Sequence, residues 1–483
     1  MPFKPIILWT DALVFVLVAV VVASGWYIRR QEHLLAPWRK VVRSRYGMCA
    51  LVILSVFVAI GLLDSFHYRP RLDARPGEGK TSYAVEVRSA FDALVEPLGR
   101  RFEKTYSAPF AAYSYAKETV ERPDGTQARE FPRLKFGGAH LQDPAQELVP
   151  DVVRRTLGAV GLAAVLWIVL TMLVAAWLAW ARHADFSATL SAIIHGETKV
   201  PWRAVLLTAG LVLAVAVPLA LLSAQYHVLG TDKVGQDVFY EALKSVRTGL
   251  VIGTLTTLVM LPLALLLGVM AGYFGGWVDD VIQYVYTTLN AIPGVLLIAA
   301  AMLITQAWID LHPNIFETVS QRADLRLLFL CLILGITSWT GLCRLLRGEA
   351  LKLRELEYVE AARAFGVSNW RILTRHLAPN VMHIVLITVV MEFSGLVLAE
   401  AVLSYVGVGV DPSMISFGTM INSARLELAR EPMVWWSLAA AFVFMFLLVL
   451  SANLFSDSVR DAFDPRIRSA MSARLRRLWA RPV

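Results

Sequence analysis

The chain has 483 residues, of which 57% are hydrophobic and only 17% are Asp, Glu, Lys or Arg. Soluble domains carry about a quarter charged residues and cannot bury this much apolar surface, so the composition excludes a wholly soluble protein. The formal net charge of +8 would suit a nucleic-acid partner, but excess Lys and Arg in a membrane protein occupy cytoplasmic loops. No nucleic-acid partner is therefore expected.

Nine apolar stretches follow one another along the chain. Each is close to the roughly 20 residues that a helix needs to cross the hydrocarbon of a bilayer. The sequence therefore predicts an all-α, polytopic membrane protein with about nine transmembrane helices. The predicted spans are 7–28, 47–66, 157–181, 204–225, 249–273, 281–305, 327–346, 381–405 and 435–455.

The basic residues between the spans predict the orientation. The segment 29–45 carries six Lys and Arg against one acid, Glu32, so it is expected in the cytoplasm with the N-terminus outside. Counting spans forward then places 67–156 outside, and 344–380 and the C-terminus inside. The first stretch could instead be a secretory signal peptide, but its long apolar run and the two arginines that follow it disfavour cleavage.

The outside segment 67–156 is predicted to hold a small α+β subdomain with a turn at 123–125. Within it, the sequence G-E-G-K-T at 77–81 resembles a phosphate-binding P-loop. The full motif needs a further glycine five residues before Gly79, where Ala74 stands, and no strand is predicted before it. The chain is therefore expected to lack a nucleotide site of its own.

The most informative cytoplasmic stretch is 357–380, between the seventh and eighth spans. Gly366 suits the left-handed residue that ends a helix, Ser368 suits the cap of the next helix, and Pro379 suits entry into the eighth span. The pattern predicts a helix, a turn and a second helix. The apolar residues at helical spacing are Tyr358, Ala361, Ala362 and Phe365 in the first helix and Trp370, Leu373 and Leu377 in the second.

A helix-turn-helix DNA-binding unit has the same outline. Such a unit normally needs a third helix and its own core, and about 35 residues between two spans leave no room for them. A plain amphipathic connector between two spans is the second alternative.

The stretch 357–380 resembles the EAA loop of ABC importer permeases. In that family the loop is a coupling helix that docks on a separate ATP-hydrolysing subunit. The residues that carry the resemblance are Glu360, Ala361, Ala362, Gly366 and Pro379. The resemblance implies that these same residues form the coupling surface. Ala378 departs from the Leu that usually precedes this proline, which is expected to weaken the packing slightly.

Four further stretches resemble the C-type permease of dipeptide, oligopeptide and nickel importers. They are 227–239, 268–279, 403–410 and 458–466, and the resemblance covers roughly 204–466. The first is similar to the family segment H-P-L-G-T-D-x-x-G-R-D. There Val228 replaces the proline and Gln236 replaces the arginine, so the role of that arginine does not carry over.

The resemblance implies a domain layout and a set of partners. An N-terminal extension over 1–200 precedes a permease domain over 201–466 and a basic cytoplasmic tail over 467–483. The expected partners are two ATP-binding subunits, a second (B-type) permease subunit and an extracytoplasmic solute-binding protein. The chain would form half of a path for peptides or similar small solutes in a bacterial inner membrane. It would catalyse no reaction and bind no cofactor, since the partner subunits use the ATP.

Two carboxylates, Glu392 and Glu400, lie within the eighth span. Acids inside a membrane are costly, so both are candidates for the translocation path. For Glu400 the alternative is a hydrogen bond to the backbone or to a neighbouring subunit, whereas Glu392 departs from the family.

Three other kinds of membrane protein compete with the importer. An ion-coupled secondary transporter would also use buried acids, but it leaves the 360–379 loop unexplained. A membrane-bound enzyme or sensor would need a metal or nucleophile–base cluster in 67–156, where the sequence offers none. An exporter is disfavoured because the loop resembles that of importers in particular.

Overall fold

The computed structural model describes residues 3–72, 83–121 and 127–463. Within these ranges nine helices have the length and hydropathy to cross a bilayer, which confirms the predicted all-α membrane fold. The P-loop-like sequence at 77–81, the turn at 123–125, the end of the last family stretch (464–466) and the tail at 467–483 lie outside the described residues.

The chain begins with a strand and three helices. They are β1 (Phe3–Ile6), α1 (Trp9–Arg29), α2 (Glu32–Val41) and α3 (Arg45–Asp64). The helices α1 and α3 are the first two predicted spans. Ser44 starts α3, because its hydroxyl accepts a hydrogen bond from the Gly47 N–H at 3.2 Å and satisfies a donor that the helix itself leaves free.

Short elements follow α3. They are β2 (His67–Pro70), β3 (Arg88–Ser89), α4 (Ala90–Leu94), α5 (Glu96–Gly99), β4 (Glu118–Glu121) and β5 (Gln127–Glu130). β1 pairs antiparallel with β2, which pairs antiparallel with β3, and β4 pairs with β5. The mixture of short helices and strands agrees with the α+β prediction for this segment.

The next helices are α6 (Pro144–Arg182), α7 (Phe186–His195) and α8 (Trp202–Ser223). The predicted outside segment ended at 156, but α6 already begins at Pro144, where the Asp143 carboxylate accepts a hydrogen bond from the Ala145 N–H. Its 39 residues extend about 58 Å at a rise of about 1.5 Å each. The hydrocarbon is only about 30 Å thick, so part of α6 projects beyond the membrane.

The second half of the chain forms the remaining helices. They are α9 (Val238–Phe274), α10 (Gly276–Ala291), α11 (Gly294–Leu311), α12 (Val319–Arg354), α13 (Glu357–Ala364), α14 (Asn369–Ile372), α15 (Ala378–Tyr405), α16 (Phe417–Glu427) and α17 (Trp436–Phe463). A short 3-10 turn (Pro313–Ile315) precedes α12, and a π-helical turn (Leu373–Leu377) joins α14 to α15. α9 is central and contacts α3, α10, α12, α15 and α17.

The predicted sixth span, 281–305, is wrong as a single helix. The chain breaks at Ile292 and Pro293, so α10 and α11 are separate helices and only α11 has the composition of a span. Proline has no N–H for the helix and forces the residue before it into an extended conformation, which Ile292 adopts (φ −89°, ψ 132°). Hydropathy did not reveal this break because both residues are apolar.

The loops gather at the two ends of the helix bundle as the span count requires. The pairing of β1 with β2 places the N-terminus and the segment after α3 at one end. There the Trp436 Nε1–H, at the start of α17, donates to the Thr231 carbonyl at 2.9 Å. We call this the outer end. At the opposite, inner end, the Ser44 and Ser458 hydroxyls are 3.2 Å apart.

Candidate functional site

The stretch 357–372 forms a helical hairpin at the inner end, and we call it the inner hairpin. α13 and α14 are its two arms, and Gly366 turns the chain between them with φ +73°. A Cβ on Gly366 would meet no atom within 4 Å. Glycine is therefore required here for its left-handed backbone rather than for space, as the sequence predicted.

One side of the inner hairpin is rooted in the helix bundle. Val359 of α13, Ile372 of α14 and Leu377 of the π-helical turn are fully buried in one apolar cluster. Leu346 and Ala350 of α12 belong to the same cluster. A movement of the hairpin must therefore move the inner ends of the spans with it.

Polar contacts brace the same side. The buried Tyr273, at the end of α9, donates its hydroxyl to the Asn369 side-chain carbonyl at 2.9 Å. The Arg363 guanidinium lies 5.3 Å from the centre of the same tyrosine ring. The Asn380 amide donates to the Tyr358 hydroxyl at 3.0 Å, which joins α13 to α15.

The other side of the inner hairpin is exposed. Glu360 and Ala361 face outward, together with the ring of Phe365, which is 88% exposed, and the Tyr358 ring, 42% exposed, lies at the border between the two sides. Ala362 is half-buried against the bundle and does not share this face. Exposed aromatic rings beside small and acidic side chains are typical of a surface that another protein covers.

The predicted apolar stripe on the second helix is wrong at one position. Leu373 and Leu377 are buried, but Trp370 is 63% exposed. Trp370 lies in the first turn of α14, immediately after the turn of the hairpin. Ser368 precedes α14 as predicted, although its side chain makes no capping hydrogen bond. Pro379 lies in the first turn of α15, as predicted.

A charged pair fixes α10 beside the inner hairpin. Arg347 of α12 donates from Nε and Nη2 to the two carboxylate oxygens of Asp279, at 2.5 and 2.6 Å. These hydrogen bonds lower the pKa of the Asp279 carboxyl below its usual value. Asp279 is the last residue of the 268–279 stretch, so that stretch ends in a link between two helices of the bundle.

The two acids of the eighth predicted span have different surroundings. Glu400 is buried, and its Oε1 accepts hydrogen bonds from the Ser404 and Ser416 hydroxyls at 2.7 and 2.8 Å. Glu392 is half-buried and has no hydrogen-bond or ion-pair partner in the part of the chain that the structure describes. The assignment of either acid to a translocation path remains a prediction.

Known proteins match this chain over its second half. Residues 264–469 match the family described as "Binding-protein-dependent transport system inner membrane component". The oligopeptide transport system permease protein OppC of Mycobacterium tuberculosis is 33% identical over 243 residues, 50% of this chain and 77% of OppC. The glutathione transport system permease protein GsiD of Pectobacterium atrosepticum is 31% identical over 323 residues, 60% of this chain and 99% of GsiD. The chain belongs to this family of binding-protein-dependent permeases.

A further relative of the permease is the dipeptide transport system permease protein DppC of Bacillus subtilis, which is 27% identical over 242 residues, 50% of this chain and 69% of DppC. The chain is thus the membrane permease subunit of an ABC importer. The nine apolar helices found among the described residues make it a multi-pass protein of the bacterial inner membrane.

A buried ionic network that the sequence did not predict lies at the outer end of the permease. Arg247 of α9 donates to the Asp11 carboxylate of α1 at 2.6 Å and lies 3.8 Å from Asp324 of α12. Asp11 also contacts His67 Nδ1 at 2.7 Å, and Thr10 donates its backbone N–H to Asp324 at 3.1 Å. The available signal was the position of the charged residues: Asp11 lies within the predicted span 7–28, and Arg247 and Asp324 lie just before the predicted spans 249–273 and 327–346.

A second polar link joins the same helices to the outer segment. The Lys244 ammonium, one turn before Arg247, lies 2.7 Å from Asp64 of α3 and 2.9 Å from Asp92 of α4. Lipid is as apolar as leucine, so the hydrophobic effect does not hold helices together within the membrane. Polar links such as these therefore carry much of the attachment of the N-terminal helices to α9 and α12.

His227 forms the third link of the outer end. Its Nδ1 contacts Asp237 at 2.8 Å and its Nε2 contacts Glu103 at 3.3 Å, with all three side chains buried. Burial opposes the charged imidazolium, but hydrogen bonds to Asp237 and Glu103 outweigh it and raise the pKa of His227 to about 9. Burial likewise opposes the Glu103 carboxylate, yet hydrogen bonds from His227 and three backbone N–H groups lower the pKa of Glu103 to about 2.

These contacts give the 227–239 stretch a structural role. The Asp237 carboxylate caps α9 by accepting from the Phe239 N–H at 2.8 Å, while the backbone N–H of Glu103 donates to the Gly235 carbonyl at 2.9 Å. Gly235 has φ +79°, and a Cβ there would lie 1.9 Å from the Glu103 carbonyl oxygen. The stretch thus seats the outer segment on the start of α9, and only glycine permits so close an approach.

Proposed function

We propose that this permease carries short peptides or similar small polar solutes. The proposal is supported by the names of its relatives, which are permeases of oligopeptide, dipeptide and glutathione transport systems. Two ATP-binding subunits, a second permease subunit and an extracytoplasmic solute-binding protein would complete the transporter. The chain itself would bind no cofactor and catalyse no reaction, because ATP is hydrolysed by the partner subunits.

The inner hairpin is the proposed contact with an ATP-binding subunit. The single observation that supports it most strongly is the division of the hairpin into a buried side at Val359 and an exposed side at Ala361 and Phe365. A partner that grips the exposed side would move the buried side, and through it α12 and α15. Small Ala361 permits close approach, and Glu360 offers a polar contact at the edge of the surface.

The structure favours different roles for the two acids. The Glu400 carboxylate has two hydroxyl donors and stands away from the surface, so we assign it to holding α15 against α16. Glu392 is half-buried and has no partner among the described residues, so it is the better candidate for contact with a solute or with the second permease subunit.

Co-purification tests the coupling proposal. An Ala361→Trp variant should keep the hairpin folded, because Ala361 is exposed, but should block the docking of an ATP-binding subunit by its bulk. The matched control is Lys199→Trp, at an exposed inner-end position between α7 and α8, away from the hairpin. We expect the ATP-binding subunits to co-purify with wild type and K199W but not with A361W. Equal recovery of the ATP-binding subunits with A361W would contradict the assignment.

Uptake measurements test the substrate class. Deleting the gene should abolish uptake of at least one member of a labelled panel of di-, tri- and tetrapeptides and glutathione, and the wild-type gene should restore it. A strain that expresses A361W serves as the matched control, because it keeps the permease in the membrane without coupling. If the whole panel is still taken up while another class of solute is lost, the peptide proposal fails although the importer assignment stands.

A further inference from the structure

An apolar groove separates the first helix from the permease bundle. It has a volume of about 360 Å³ and is lined by α1, α3, α9, α15 and α17. We call it the N-terminal groove. Leu17 and Val21 of α1 form one wall, Leu54 and Val58 of α3 form another, and Phe393 of α15 lies at its side.

The groove arises from the way in which α1 is attached. Asp11 and Val14, near the outer end of α1, are buried against the bundle, and Asp11 is held there by Arg247. Further along, the helix stands away from its neighbours, so that Val21 remains 61% exposed. α1 is therefore fastened at its outer end, and a gap remains between α1 and the bundle nearer the inner end.

The lining of the groove offers nothing to a polar ligand. Its two hydroxyl side chains are Thr254 and Thr257, and each donates to the carbonyl four residues earlier in α9, at 2.7 Å. An apolar cavity of this kind does not hold water, which needs two to four polar partners. The occupant must be apolar along the length of the groove.

A basic surface lies at the inner end of the groove. Val390 and Phe455, which line the groove, also pack against the buried cluster that contains Val41 of α2, and Trp38 of α2 packs against the same cluster. α2 therefore sits at the inner mouth of the groove. Exposed basic residues on and beside α2, none of them in an ion pair within the described part of the chain, are Arg29, Arg39, Lys40, Arg43 and Arg45.

Trp26 indicates the level in the membrane at which this basic surface lies. Trp26, at the inner end of α1, is exposed, and the guanidinium of Arg30 lies 3.5 Å from the centre of its ring. Tryptophan and arginine at a helix end are typical of the level of lipid headgroups. The basic residues of α2 therefore lie where a phosphate would lie if its acyl chain occupied the N-terminal groove.

We propose that the N-terminal groove and the basic surface of α2 form a binding site for an anionic phospholipid. An acyl chain fills the groove between α1 and the bundle, and the headgroup phosphate binds the side chains of Arg39, Lys40 and Arg43. Basic surfaces at the cytoplasmic side of helix gaps suit anionic headgroups, and each Lys or Arg near the surface strengthens such binding by about fivefold. The lipid would complete the packing of a helix that the bundle alone does not cover.

Lipid analysis of the purified transporter tests the proposal. The complex is extracted in mild detergent, and bound phosphatidylglycerol, cardiolipin and phosphatidylethanolamine are counted per protein by mass spectrometry. One variant, R39Q/K40Q/R43Q, removes the charges, and another, V58W, fills the groove. The matched control, R182Q/K199Q/R203Q, removes three exposed basic residues from the same end of the permease around α7, away from the groove.

We expect the anionic lipid bound by wild type and by the control to be equal, and most of it to be lost from both R39Q/K40Q/R43Q and V58W. Equal loss from the control would show general attraction to positive charge and would overturn the proposal. A preference for phosphatidylethanolamine would overturn it as well. So would a cross-link from a V58C variant to the second permease subunit, because a protein helix would then fill the groove.

Discussion

Arg247 of α9 and Asp11 of α1 are 2.6 Å apart between side chains that are both buried. The two residues are 236 positions apart in the chain. Their contact fastens the first helix to the two helices at the centre of the permease, because Arg247 also lies beside Asp324 of α12. The N-terminal helix α1 is thus attached through charge rather than through apolar packing alone.

Removing one partner of this pair should destabilise the protein strongly. Arg247→Met leaves the carboxylates of Asp11 and Asp324 buried without their cation, which costs about 3–5 kcal/mol in comparable buried pairs. We expect a lower thermal unfolding midpoint in detergent and a lower membrane level. The double variant Arg247→Met/Asp11→Leu should recover part of the loss, because it removes one uncompensated charge. An exposed control pair, Arg322 and Asp310, should tolerate Arg322→Met within about 1 kcal/mol. If R247M unfolds at the wild-type temperature, the pair does not hold the extension.

The outer segment should show a pH dependence that originates at His227. Its pKa is raised from 6.5 to about 9, so the contribution of the imidazolium to stability is complete below pH 6.5 and is lost as the pH rises through 9. The pKa of Glu103 is lowered from 4.5 to about 2, so its contribution is present above pH 4.5 and is lost as the pH falls through 2. We therefore expect the temperature of the unfolding midpoint to decrease as the pH is raised from 6.5 to 9.

A His227→Gln variant isolates this effect. Glutamine can still donate one hydrogen bond but does not titrate, so the variant should be less stable at pH 6 and should lose most of the slope between pH 6.5 and 9. The measurement is the unfolding midpoint of both proteins in one series of buffers at constant ionic strength. An unchanged slope in the variant would assign the pH dependence to another group.

At the turn of the inner hairpin, the tolerated substitutions should be those whose backbone adopts the left-handed conformation. Gly366 has φ +73° with open space around it, so Gly366→Asn should be tolerated and Gly366→Val should not. Asparagine adopts the left-handed region readily. For other L residues this conformation costs roughly 1–2 kcal/mol of free energy, and for a β-branched residue it costs more. We expect G366N to keep transport and G366V to lose transport while both reach the membrane at normal levels. Equal activity of the two variants would contradict this account.

The carboxylate of Glu400 should be replaceable by an amide but not by an alkyl group. Glu400→Gln keeps an oxygen that can accept from Ser404 and Ser416, whereas Glu400→Leu removes the acceptor of the Ser404 hydroxyl and leaves the Ser416 hydroxyl only the more distant Thr419 Oγ1, at 3.3 Å. An unsatisfied buried group costs about 1–3 kcal/mol. Unfolding midpoints should therefore rank wild type and E400Q above E400L. Uptake by E400Q close to the wild-type rate would favour the structural role, and its complete loss in a stable protein would favour a role in the path.

Local features of the chain predicted most of the membrane fold and the inner hairpin. Hydropathy over about 20 residues located eight of the nine apolar helices among the described residues and overlapped the ninth, α11, because a helix in lipid must satisfy its own backbone and cover itself with apolar side chains. The left-handed turn at Gly366 and the entry of Pro379 into α15 followed from backbone preferences that act within a few residues. Pro293, however, divided a predicted span whose hydropathy was continuous.

Only tertiary structure decided which side of each helix stays exposed and which side is buried. Ala361 and Ala362 are adjacent and chemically identical, yet one faces outward and the other packs on the bundle. Trp370 and Leu377 had the same predicted role, but only Leu377 is buried. No local pattern distinguishes them, because burial depends on whether an element from elsewhere in the chain arrives to cover a side chain.

The amino-acid sequence by itself determined where the chain crosses the membrane, where it turns at the inner hairpin and to which family of permeases its second half is similar. Hydropathy, helix termini and left-handed glycines are properties of neighbouring residues, so they are readable from the chain alone. Tertiary structure decided the partners of the buried charges. Asp11 meets Arg247, and Glu103 meets His227, across 236 and 124 positions. Such pairs form because an ion buried in or beside a membrane must find a counter-ion, and only the packing of the helices determines which one lies within reach.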